Sequence, residues 1–127
     1  DFRYVSHDDL PKLKKMVCAI VEKNFVPDVT TKITDTFGFD EMERTEATMQ
    51  LLEVAKEAAK ESGLPVPGPK LCGGGSDAAY TVQAGVPTLC SIGVEGARNH
   101  TVEEWADVES LFTRTKLMIA ILLKVTK

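Results

Sequence analysis

An α/β fold is what this sequence predicts, because strand-like and helix-like patterns alternate along it. Four stretches carry that reading. Residues 1–36 run strand, helix, strand. Residues 71–94 run strand, glycine loop, helix, strand. Two long segments, from Thr45 and from Asp107, repeat apolar residues at helical spacing.

In chain order, Asp1-Phe2-Arg3-Tyr4-Val5 alternates as a strand and begins without a lead-in, so a piece of a longer protein is expected. Ser6 to Asn24 reads as a helix. Ser6 or Asp8 is its cap, Pro11 falls in the tolerant first turn, and Leu10, Leu13, Val17, Ile20 and Val21 form one apolar face. Val29 to Thr36 alternates as a half-exposed strand, completing β-α-β. Residues 37–44, FGFDEMER, form the expected domain boundary, which divides the chain into 1–38 and 39–127.

Thr45 is the expected N-cap of a helix with Ala47, Leu51, Val54, Ala55 and Ala58 on one face, stopped at Gly63. Leu64 to Pro69 is a connector. Leu71 and Cys72 end an apolar approach, and Gly73, Gly74 and Gly75 remove every Cβ from a turn that opens the helix begun by Ser76-Asp77-Ala78-Ala79-Tyr80. Backbone N–H groups in such a loop are free to face an anion. Gly85 stops this helix, and Thr88 to Val94 is read as a buried strand running into a loop that carries His100. Asp107 caps a final helix, with Val108, Leu111, Phe112, Thr115, Ile119 and Leu122 expected on its inner face.

Composition narrows the function classes. With 127 residues, 43% of them hydrophobic, and a formal charge of −4, the chain is a single soluble-type globular length with no basic stripe for nucleic acid. The run Leu117–Leu123 is far too short to span a bilayer, so no membrane role is expected. Cys18, Cys72 and Cys90 are an odd number without a CxxC pair, which points to reduced thiols in the cytoplasm.

Residues 73–104 resemble the C-terminal part of the co-catalytic zinc hydrolases of metallopeptidase family twenty, whose members include glutamate carboxypeptidase, acetylornithine deacetylase and succinyl-diaminopimelate desuccinylase. The family's GGG[ST]DA loop matches Gly73 to Ala78. Its G-x-P strand start matches Gly85-Val86-Pro87, its glycine loop matches Gly96, and its H-[ST]-x-x-E matches His100-Thr101-Val102-Glu103-Glu104. The resemblance implies that residues 1–38 are the second half of a ferredoxin-like lid through which the enzyme forms a homodimer. It implies that 39–127 belong to the C-terminal part of the catalytic domain, an α/β domain with a mainly parallel sheet.

The same resemblance makes His100 a ligand of one of two zinc ions, with cobalt or manganese as alternatives. It makes Gly74, Gly75 and Ser76 the cradle for the carboxylate end of a small peptide or N-acyl amino acid. Glu104, at i+4 from His100, is its expected supporting residue, or else a solvated glutamate. A lone histidine is more often a surface residue, and only the surrounding motif favours zinc. Asp77 reads as a first-turn carboxylate, and His7-Asp8-Asp9 as helix capping in spite of its H-x-D spelling. Cys72, Cys90 and His100 match no standard zinc spacing, and Cys90 reads as a buried small hydrophobe.

The family's remaining ligands and its glutamate base have no counterpart here, so no catalytic residue is expected within this chain, and the isolated chain should be inactive. Where many relatives carry Arg-Pro-Pro-Met, this chain has Phe39-Asp40-Glu41-Met42, leaving Arg44 or Arg98 as substitutes. Two other readings stand beside the zinc hydrolase. One is a serine hydrolase with Ser76 as nucleophile, His100 as base and Glu95 or Asp107 as orienter. The other is a non-catalytic dimerisation module.

Overall fold

The computed structural model describes residues 2–23, 25–34 and 40–126. Along them run α1 (Asp9–Val21), α2 (Glu46–Glu61), α3 (Ala78–Gln83), β1 (Gly96–Ala97), β2 (Trp105–Ala106) and α4 (Val108–Val125). The chain divides into two compact units, Asp1–Glu43 with Gly73–Val86, and Arg44–Cys72 with Pro87–Lys127.

In the first unit, α1 starts where expected, and of the two expected caps Ser6 takes up amides there, its Oγ accepting from the Asp8 amide at 3.4 Å and its carbonyl from the Asp9 amide at 3.0 Å. Asp8 is the N-cap residue, yet its side chain accepts no capping bond. The His7 end is also held by two glutamates: the His7 amide donates to Glu43 Oε1 at 2.9 Å, and Nδ1 lies 3.1 Å from Glu41 Oε1. Leu10, Leu13, Val17 and Val21 are half-buried, while Ile20 faces solvent. The helix ends at Val21 with Glu22 as its C-cap, short of the expected end at Asn24, a residue that itself lies outside the described ones. Ala79 and Val82 of the short α3 are buried, and Gly85 ends it at φ +81, a conformation glycine adopts without steric cost.

The second unit is built on α2 and α4. Thr45 caps α2 as expected, its hydroxyl accepting from the Thr48 amide at 3.1 Å, and Gly63 ends it at φ +64. Asp107 caps α4, with Oδ1 accepting from the Glu109 amide at 3.0 Å. Ala55, Ala58 and Ala59 let the two helices approach closely, and Leu117 and Ile121 fill the seam. Leu64, Leu89, Ile92 and Ala120 pack around it. Leu117 is 2% exposed, and burying such a side chain stabilises by roughly 1.5–3 kcal/mol. Lys124 reaches Glu61 at 2.7 Å and Glu57 at 3.4 Å. The hydrogen bond to Glu61, together with both negative charges, holds its ammonium above the ordinary lysine range.

Two sequence expectations change here. The face of α4 expected inside is outside: Leu111 is 53% and Phe112 58% exposed, while Ser110, Leu117 and Ile121 are buried. This helix is apolar on both sides, so periodicity alone does not select the face that meets α2. The expected strands at Phe2–Val5, Val29–Thr34 and Thr88–Val94 lie in no ladder among the described residues, where the one sheet is the β1–β2 pair. Residues 35 and 36, the end of the second of these, lie outside the described residues. Within the third, Ser91 sits at φ +61, which no β-strand residue adopts, and Cys90 is exposed, not buried. What stands of the fold class is a mixed α/β chain in which helices dominate. Among the described residues, no helix is long and apolar enough to cross a membrane.

Candidate functional site

His100 is carried by a β-hairpin. Gly96 pairs with Ala106 and Ala97 with Trp105, antiparallel, and the connection between the strands holds the histidine. Gly96 is required here for space: a Cβ on it would lie 2.5 Å from the Trp105 carbonyl oxygen, a backbone atom that cannot swing aside.

The base of the hairpin is stapled to α4. The Asp107 amide donates to Glu95 O at 2.8 Å, and the Glu95 amide donates to Ser110 Oγ at 2.8 Å. Ser110 Oγ in turn donates to Asp107 O at 2.6 Å, and Arg114 pairs with Glu95 at 2.6 Å. These bonds account for the burial of Ser110, a polar residue in the first turn of a helix.

The tip folds on itself. Arg98 and His100 both occupy the left-handed region, at φ +60 and +65. Each costs about 1–2 kcal/mol in an unconstrained chain, although histidine is among the residues enriched there. Thr101 Oγ1 donates to Arg98 O at 2.7 Å and accepts from the Glu103 amide at 3.2 Å, while the Glu104 amide donates to Thr101 O at 3.2 Å. Arg98 forms an ion pair with Glu103, so this guanidinium is engaged within the loop. Glu104 Oε2 accepts from the His100 amide at 3.1 Å. The two residues do not share a helical face: residues 98–104 form turns, and Glu104 reaches the main chain of His100.

The imidazole itself is exposed and makes no hydrogen bond among the described residues. Its chemistry fits one ligand position on a zinc ion. No group of three histidine, cysteine, aspartate or glutamate side chains among the described residues could hold a metal ion.

The glycine loop belongs to the other compact unit. Gly73, Gly74 and Gly75 are exposed and Ser76 is half-buried, with its Oγ accepting from the Ala78 amide at 3.2 Å and its carbonyl from the Ala79 amide at 3.0 Å. Asp77 occupies the N-cap position of α3 without a capping bond. Arg3, which sequence reasoning placed only in a strand, donates from Nη1 to the Gly73 carbonyl. Residue types give no hint of that bond, because the partners are far apart in sequence and the acceptor is backbone. Arg44, the other arginine considered for a carboxylate, is exposed, and its Nε lies 3.1 Å from Met49 Sδ.

Comparison with known proteins accords with the motifs. Carboxypeptidase G2 of Pseudomonas sp. (strain RS-16) is 27% identical over 112 residues, covering 87% of this chain and 27% of the relative. The chain thus spans about a quarter of the length of the curated relative it matches. No solved structure matches. Residues 4–124, nearly the whole chain, match the family described as Peptidase family M20/M25/M40, and the chain belongs to that family.

Proposed function

We propose that this chain is the C-terminal portion of a zinc-dependent hydrolase that cleaves an amide or peptide bond next to a substrate carboxylate, as a carboxypeptidase, dipeptidase or N-acyl amino acid deacylase. Family membership and the likeness to a carboxypeptidase support the hydrolase class. The observation that carries the metal assignment is the stapled hairpin with its exposed imidazole: a ligand held on a fixed backbone loses little entropy on binding.

In this reading His100 gives one ligand to a pair of divalent ions, which when bound polarise the scissile carbonyl and activate water. Gly74, Gly75 and Ser76 receive the substrate carboxylate. Residues 1–38 are half of a lid that forms a homodimer, 39–127 belong to the catalytic domain, and the enzyme works in the cytoplasm. The chain alone hydrolyses nothing, because one histidine cannot hold two ions.

The test is His100→Ala in the full-length protein, with metal analysis, thermal unfolding and turnover of N-acyl amino acids and dipeptides compared with the unmodified protein. The expected result is loss of about one ion per site and of nearly all turnover, with stability changed by less than about 0.5 kcal/mol. Equal metal content with equal activity overturns the assignment. Labelling of Ser76 by a fluorophosphonate would move the reading to a serine hydrolase.

A further inference from the structure

The direction in which an imidazole leaves the backbone is set by the φ and ψ of its own residue, and His100 holds φ at +65, outside the wells where most residues rest. Whatever fixes that φ also fixes the direction of the Cα–Cβ bond, from which the ring takes one of a few rotamers. One side chain bonds the His100 amide, the Glu104 carboxylate at 3.1 Å. The carboxylate is brought there by a chain of turns: Glu104 N to Thr101 O at 3.2 Å, and Thr101 Oγ1 to Arg98 O at 2.7 Å. The adjacent Glu103 is committed elsewhere, to Arg98.

Resting on the assignment of His100 as a metal ligand, we propose that Glu104 is a positioning residue for it and acts on its main chain, not on its ring. The charge-assisted bond from the His100 amide to Glu104 holds the left-handed backbone in place and so sets the Cα–Cβ direction from which the imidazole reaches out. The four-residue interval between the two is then the length that returns a carboxylate to the amide.

The experiment uses the full-length protein with Glu104→Ala, Glu104→Gln, Glu103→Ala and His100→Ala. It reads amide hydrogen exchange at residue 100 and affinity for zinc chloride alone. Glu104→Ala is expected to speed exchange at His100 and weaken zinc binding about 10–100-fold, the range for outer residues that support metal ligands. Glu104→Gln, whose amide oxygen accepts the same bond, should restore both to within a few-fold, and Glu103→Ala should leave both unchanged. If the alanine variant does not fold, Glu104→Asp serves in its place. Its carboxylate falls one methylene short, and parental zinc affinity there overturns the proposal. Zinc lost in His100→Ala but held at parental affinity in Glu104→Ala overturns the positioning role alone. Zinc retained in His100→Ala overturns the ligand reading on which it rests.

Discussion

Helices α2 and α4 hold each other through buried alanines, Leu117 and Ile121, whereas the hairpin beside them buries no side chain between Glu95 and Asp107 and is held by individual hydrogen bonds. Both belong to the same compact unit. Apolar burial is non-directional and sums over many atoms, so the helix pair tolerates exchange among residues of similar volume. The hairpin depends on single donors and acceptors and on one glycine. A framework of the first kind sets stability, and a device of the second kind sets the direction of a functional group at small cost to stability.

The largest expected effect tests the burial side of that contrast. Leu117→Ala should destabilise by about 2–5 kcal/mol, because it opens a cavity in the seam. Leu111→Ala, on the outer face of the same helix, should stay within about 0.5 kcal/mol. Urea unfolding of both variants decides, and equal losses would mean that the inner face of α4 is misassigned.

Next in size is the hairpin. Gly96→Ala forces a Cβ against the Trp105 carbonyl, and overpacking of this kind costs roughly 1–3 kcal/mol. The expected signature is faster exchange of the Asp107 amide, whose bond to Glu95 closes the hairpin, while amides inside α2 keep their protection. Equal acceleration in both places would make the hairpin part of the framework, not a device resting on it.

The smallest effect lies in the first compact unit, at Tyr4. Burial raises its hydroxyl pKa above the ordinary 10.0, and the negative charges of Glu41 and Asp40, with a hydrogen bond to Glu41, raise it further. The folded protein therefore keeps this proton at a pH where the unfolded chain has lost it, so stability falls as pH rises above about 10. Tyr4→Phe should remove that slope, and the phenolate absorbance of the unmodified protein should show a group ionising late. A titration in which Tyr4 ionises at the ordinary value would break the link to Glu41.

Local signals were legible in the sequence. Thr45 and Asp107 cap their helices because a hydroxyl or carboxylate before an apolar repeat has an orphan amide within reach, and Gly63 and Gly85 end helices at positive φ. The hairpin glycine and His100 stand out because their residue types are constrained by space and by chemistry. Strands were not legible, because a strand is completed only by a ladder partner that residue types do not name, and Ser91 turns out of β conformation within the expected one. The inner face of α4 was hidden because Leu111 and Phe112 are as apolar as Leu117. Bonds to backbone atoms, such as Glu104 to His100 and Arg3 to Gly73, leave no mark in a pattern of side chains.

The placement of α2 and α4 also has a consequence for synthesis on the ribosome. Roughly 45 residues separate Glu61 from Val108, and at about 5–20 residues per second α2 is complete some 2–9 seconds before α4 begins to emerge. A helix of this length relaxes within about a microsecond, so α2 waits with its inner face uncovered for a time that is long on the scale of chain motion. What α2 brings to the seam is Ala55, Ala58 and Ala59, and the larger Leu117 and Ile121 arrive with the later helix. The half that waits is the less adhesive one, which keeps the nascent chain from finding a wrong partner before the right one is made.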